Sequence, residues 1–99
     1  MTITKNRDGS RLVVKLNGRL DTTASPQLER TLLLDDIDEV IFDLTDLQYL
    51  ASAGLRVLLT TQKKMNARKG TMVVKNANEM ILEVFEMTGF SHVLTIEHD

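Results

Sequence analysis

The sequence contains no cysteine, so neither a disulfide framework nor a thiolate zinc site can form. No stretch approaches the ~20 apolar residues of a membrane span. The first residues, Met1-Thr2-Ile3-Thr4-Lys5, lack the apolar segment of a secretion signal. Positive charge is not in excess either: 12 Lys and Arg stand against 14 Asp and Glu, a formal charge of −2. Nucleic-acid binders need a basic stripe to neutralise phosphates. The densest basic run, Lys63-Lys64 with Arg68-Lys69, is short and has no interleaved aromatics, so direct nucleic-acid binding is not expected. Histidine is scarce, and His92 and His98 are not spaced with further ligands as a metal site requires. There is no Gly-x-Ser-x-Gly elbow, no phosphate-binding loop and no Gly-x-Gly-x-x-Gly. These absences lead to the expectation of a soluble, cytoplasmic, non-enzymatic chain without metal or cofactor.

What is present suits one domain spanning residues 1–99, with 42% hydrophobic and 26% charged residues. A chain of this length buries roughly 60–70% of its unfolded surface, enough for a cooperative core. Residues 2–6 and 11–17 flank Asp8-Gly9 and predict a β-hairpin. Leu12, Val14 and Leu16 alternate with Arg11, Val13 and Lys15, so one face is more buried than the other. Ser25-Pro26 predicts a helix start, serine as N-cap and proline at the first helical position, with the helix ending near Leu34-Asp35. Residues 39–44 predict a strand, 45–50 a loop, and 53–67 a helix with Leu55, Leu58, Leu59, Gln62 and Met65 on its inner stripe. The basic cluster falls at the C-terminal end of that helix, where the dipole favours it. Gly70 ends it, and 71–75 form the next strand. Asn78 or Asn76 caps a third helix running to Met87, Gly89 closes it, and a last strand covers 93–97. The order ββαβαβαβ predicts an α/β fold, with an antiparallel hairpin leading into a mixed, mostly parallel sheet flanked by helices.

Carboxylates are a weak chemical signal. Asp35, Asp36 and Asp38 fall in a helix-to-strand connection, where a solvated turn explains them. Asp43 and Asp46 lie near the end of a parallel strand but have no base, metal partner or phosphate cradle beside them. On the third helix Met80, Leu82 and Met87 extend apolar surface beyond the core stripe of Ile81, Val84 and Phe85. They either reach neighbouring strands and loops or provide a second hydrophobic contact, such as weak self-association.

The informative stretch is Leu47-Gln48-Tyr49-Leu50-Ala51-Ser52-Ala53-Gly54-Leu55. A strand leaves the sheet and a helix begins with Ser52 as N-cap, which by itself is worth about 1 kcal/mol of capping. Gly54 in the first turn lowers helix propensity by ~1 kcal/mol relative to alanine, which implies that another backbone approaches closely there. Ala51 and Ala53 leave the Ser52 hydroxyl uncrowded.

Four segments, in order along the chain, carry a resemblance. Gly18-Arg19-Leu20-Asp21-Thr22-Thr23-Ala24 resembles the Gly-Glu-Leu-Asp segment of STAS domains. The run from Asp43-Leu44 through Leu47 and Leu50-Ala51-Ser52-Ala53-Gly54-Leu55 is similar to the family's leucine-rich stretch ending in Asp-Ser-Ser/Thr-Gly-Leu. Gly70-Thr71-Met72-Val73-Val74 and Phe85-Glu86-Met87-Thr88-Gly89-Phe90 resemble its later strand and its Phe-x-x-Ser/Thr-Gly-Leu helix end. Where the family has aspartate before the serine and a hydroxyl residue after it, this chain has Ala51 and Ala53.

The resemblance implies a STAS-like domain that acts as a bacterial anti-sigma factor antagonist. In that role the unmodified protein binds an anti-sigma factor, often itself a serine kinase of the histidine-kinase-like ATPase class, and so frees a sigma factor. Phosphorylation at Ser52 ends the contact, and a PP2C-type phosphatase restores it. Asp21, Thr22, Ala51, Ser52, Ala53, Gly54 and Arg56 are then the partner-binding residues. A constitutive STAS subunit of a lipid-transport ABC complex is the alternative within the same fold, and the altered neighbours of Ser52 suit it. A small nucleotide-binding enzyme would need a cradle or base that the sequence does not contain.

Overall fold

Glycine at position 9 takes a positive φ of 62°, which lets Gly9-Ser10 reverse the chain between β1 (Thr2–Asp8) and β2 (Arg11–Leu20). The computed structural model describes residues 1–99. After the hairpin come α1 (Ala24–Thr31), β3 (Glu39–Leu50), α2 (Ser52–Ala67), β4 (Thr71–Lys75), α3 (Glu79–Met87), a 3-10 turn at Phe90–His92 and β5 (Ile96–Glu97). The five strands form one sheet in the order β1-β2-β3-β4-β5, with only the first pair antiparallel. That is the α/β architecture the element order predicts. No helix is long and apolar enough to cross a membrane.

Alternation decides which face is buried. Leu12, Val14 and Leu16 of β2, Val40, Phe42 and Leu44 of β3, and Met72 and Val74 of β4 join one core with Leu28, Leu55, Leu58, Met65, Ile81 and Phe85 from the helices. The opposite face carries polar rows around a narrow apolar one, Val13-Ile41-Val73, paired across β2, β3 and β4. Ile41 is only 4% exposed there, beside an ion pair of Arg11 with Glu39 at 3.4 Å. Asp43 lies on the same face. Burial pushes its carboxyl up, but hydrogen bonds from the Thr45 hydroxyl and amide, the Lys15 charge and Asn76 outweigh that and hold it below the ordinary 3.8. A pKa lowered by folding stabilises the fold above pH ~4, and the contribution is lost as pH falls through the folded-state value. Asp43→Asn is therefore expected to lower the melting temperature modestly near neutrality and to flatten the acid limb of the profile, the two proteins converging as pH falls below ~4.

Several boundaries differ from the sequence reading. Helix α1 starts at Ala24, so Ser25 and Pro26 lie inside its first turn. The N-cap is Thr23, whose side chain makes no capping bond; instead Asp21 Oδ1 accepts the Ala24 amide at 2.8 Å, while the buried Ser25 hydroxyl donates to the Asp21 carbonyl. Proline fits within the first turn because the amides there have no helical partner anyway. The helix stops at Thr31, and Leu34 and Ile37 enter the core from the connector instead.

Residues 45–50 are strand rather than loop. β3 pairs with β2 through two register shifts, one between Lys15 and Asn17 and one between Gly18 and Arg19. Each inserts an extra residue on the β3 side, so Leu44, Leu47 and Leu50 are all buried at intervals of three. At the other end, β5 holds only Ile96–Glu97 because the amides of Val93 and Leu94 bond to the Phe90 carbonyl instead of to β4. Of the two asparagines, Asn78 is the α3 cap: its Oδ1 accepts the Ile81 amide at 2.9 Å and its Nδ2 donates to the Leu47 carbonyl at 3.2 Å.

Candidate functional site

Strands β2 and β3 end side by side, and the Ala51 amide donates to the Leu20 carbonyl at 2.9 Å. The chain then turns into α2. The N-cap is Ala51, with φ −84° and ψ 167°, and no side chain caps the helix. Ser52 is thus the first helical residue rather than the cap assigned from sequence. Its side chain is exposed. The first-turn amides of Ser52, Ala53 and Gly54 precede the earliest intrahelical bond, Leu55 N–H to the Ala51 carbonyl at 3.0 Å. No acidic side chain occupies this first turn. The result is an uncapped helix start with its positive dipole end and a free hydroxyl facing outward.

Gly54 explains how α2 begins so close to the sheet. A β-carbon there would lie 2.6 Å from Leu20 Cγ and 2.9 Å from the Leu20 carbonyl oxygen. The close backbone approach inferred from sequence is real, and its source is β2 of the same chain. Gly54 is buried, so it sets the position of the site rather than offering contact area.

The other residues assigned from sequence gather at the same end. Asp21 directly follows Leu20 and spends its carboxylate on α1. Thr22, Ala53 and Arg56 line a groove of about 250 Å³ between α1 and α2, completed by Ser25, Pro26, Glu29, Val57 and Thr60. Ser25, Pro26, Glu29, Val57 and Thr60 were not assigned to the site from sequence. A signal existed: positions 22, 25, 26 and 29 and positions 53, 56, 57 and 60 both recur at helical spacing. It becomes visible only once α1 is known to lie against α2. Arg19, also missed, stacks over the Tyr49 ring at 4.3 Å where β2 and β3 pair near their ends.

The remaining polar clusters are structural. Arg68, at the C-terminal end of α2, donates to the Leu34 and Ile37 carbonyls and pins the connector before β3. Asp35, Asp36 and Asp38 are exposed in that connector, with Asp36 at a positive φ of 62°. Asp46 pairs with Lys15 at 3.4 Å. No three His, Asp or Glu side chains come together as a metal site would need.

Comparison with known proteins places this geometry. The STAS domain family model matches residues 2–99. An anti-sigma-B factor antagonist of Listeria monocytogenes is 27% identical over 97 residues, covering 95% of this chain and 85% of that protein. Among solved structures, the anti-sigma factor antagonist SpoIIAA in its unphosphorylated form superposes with a TM-score of 0.80 at 17% identity, covering 99% of this chain and 88% of the other. The Bacillus cell fate determinant SpoIIAA in the phosphorylated form gives a TM-score of 0.76 at 18% identity, covering 96% and 90%. With one sheet, an uncapped helix start at the strand ends and a family match over nearly its whole length, the chain belongs to the STAS domain family.

Proposed function

We propose that this chain is an anti-sigma factor antagonist whose partner docks on the start of α2 and the adjoining α1/α2 groove. The observation that carries the reading is the exposed Ser52 hydroxyl on the first residue of an uncapped helix. The partner contacts Thr22, Ala51, Ser52, Ala53 and Arg56, while Asp21 and Gly54 hold that surface in place. The partner is an anti-sigma factor with serine-kinase activity of the histidine-kinase-like ATPase class, working in the cytoplasm, and a PP2C-type phosphatase reverses its action. The curated relatives named as anti-sigma factor antagonists support the role.

A phosphate on Ser52 adds about −1.5 to −2 charge. The first-turn amides and the helix dipole favour it, and Arg56 lies one helical turn away. The domain itself therefore tolerates modification. That solved structures exist for both forms of SpoIIAA, each close to this fold, supports the same view. The partner, by contrast, meets a bulky dianion that it must desolvate, and binding is lost.

Incubation with the cognate kinase and ATP, read by mass spectrometry, is expected to place one phosphate on Ser52. Ser25 is 3% exposed and its hydroxyl is already donated to Asp21, so it should stay unmodified, as should Ser91. Modification elsewhere, or none at Ser52, would remove the switch. Ala51 and Ala53 favour one second reading, a constitutive subunit of a lipid-transport ABC complex. There, partner binding would not change with the state of Ser52.

A further inference from the structure

Helix α3 presents an apolar stripe that the fold leaves uncovered. Met87 is 85% exposed and Met80 57%, with the half-buried Val84 between them at one-turn spacing. Ile81 and Phe85 on the other side of the same helix are buried, and Leu82 and Val84 pack partly against the core. The sequence alone left open whether these methionines reach neighbouring elements. They do not bury themselves. Methionine is flexible and polarizable, and it is over-used at surfaces that accept apolar partners.

Alongside the stripe runs a row of one sign. Glu79, Glu83 and Glu86 are all exposed, and α3 contains no basic residue. The chain's three ion pairs lie elsewhere, so these carboxylates are unpaired within the fold. Glu86 also sits in the last turn, where the helix dipole disfavours negative charge. Glu79, in the first turn, suits the dipole, but Glu83 and Glu86 do nothing for α3 itself, and their placement points outward.

We propose that α3 is a second docking surface, for an amphipathic helix of another protein that carries lysines or arginines beside its apolar stripe. Complementary charge chooses this occupant over two others. An anionic membrane would be repelled by the glutamate row. A second copy of the chain offers basic charge on α2, at Lys63 and Lys64, but the apolar stripe of α2 is buried in the core. None of the α3 residues lines the α1/α2 groove, so the two surfaces can be occupied together. This proposal stands apart from the role assigned to Ser52.

The methionines supply the test. The chain has five, of which Met65 and Met72 are buried in the core and serve as internal controls for Met80 and Met87. The whole chain, methyl-labelled at methionine, is titrated with a short helical peptide of leucine and lysine, and separately with its leucine–glutamate counterpart. The lysine peptide is expected to shift Met80 and Met87 and leave Met65 and Met72 in place. Met80→Ser with Met87→Ser, or Glu79→Gln, Glu83→Gln and Glu86→Gln together, should each weaken it by about tenfold or more. Equal response to both peptides, or affinity unaffected by either set of substitutions, overturns the proposal. So do Met80 and Met87 signals that move with chain concentration alone, which would assign the surface to a second copy.

Discussion

Ser52→Asp is expected to weaken binding to the anti-sigma factor by about a hundredfold, ~3 kcal/mol, because a charge buried against a docked protein costs several kcal/mol when nothing pairs with it. The same substitution should not harm the fold. The first turn of α2 has no acidic residue and no side-chain cap, so a carboxylate there gains roughly 0.3–1 kcal/mol from the dipole and the free amides. Ser52→Ala is the necessary contrast. The hydroxyl caps nothing in the folded chain, and its loss should leave stability within about 0.5 kcal/mol and partner affinity nearly unchanged. Calorimetric titration against the partner, with thermal melts of both variants, separates these effects. If the aspartate and alanine variants bind alike, Ser52 is not a switch. If the aspartate variant binds poorly because it has unfolded, its melting temperature reveals that. Opposite signs in the two measurements, firmer fold and weaker complex, are the signature expected of a modification that acts at an interface.

The local geometry of the candidate site was legible because its determinants are local. Ser52 at a strand-to-helix transition, small neighbours and a glycine in the first turn can all be read along a single stretch, and the structure brings them to one edge. The prediction that Gly54 accommodates a close backbone also held, since it rests on sterics that do not depend on which backbone arrives. The cap was misread by one residue. A serine usually caps, but here the bend falls at Ala51 because its amide is held by Leu20 on the neighbouring strand. That bond lies 31 positions away in sequence and leaves no local trace. The same cause hid the second half of β3. Two bulges against β2 turn a period of two into Leu44, Leu47 and Leu50 at a period of three, which matches neither strand nor helix. At α1, Ser25-Pro26 offered a convincing local start, yet Asp21 just past the end of β2 captured the Ala24 amide and the helix began two residues earlier. Where the reading failed, a tertiary partner had replaced a local preference.

Gly54→Ala should destabilise the molecule in spite of helix propensity. On propensity alone alanine would stabilise α2 by ~1 kcal/mol. Against this, the new β-carbon would lie 2.6 Å from Leu20 Cγ, and 2.9 Å from both Leu20 Cδ2 and the Leu20 carbonyl oxygen. Leu20 is fully buried, so its side chain has no open space to move into. Its carbonyl cannot retreat either without releasing the Ala51 amide. Overpacking of this kind costs about 1–3 kcal/mol, and a clash with both backbone and side chain belongs at the upper end. A net loss of about 1–2 kcal/mol, seen as a melting temperature lower by roughly 5–15 °C, is expected. Because the relief available is to push the start of α2 away from β2, Ser52 moves with it, and partner affinity should fall along with stability. Trimming the obstruction tests the mechanism. Leu20→Ala alone opens a cavity and should cost about 2–5 kcal/mol, but in the Gly54→Ala background it also removes two of the three clashing atoms. The double variant is therefore expected to be less destabilised than the sum of the singles, by at least about 0.5 kcal/mol. Strict additivity in chemical denaturation would mean that Gly54 and Leu20 do not meet as described, and that α2 is held at the strand ends by something else.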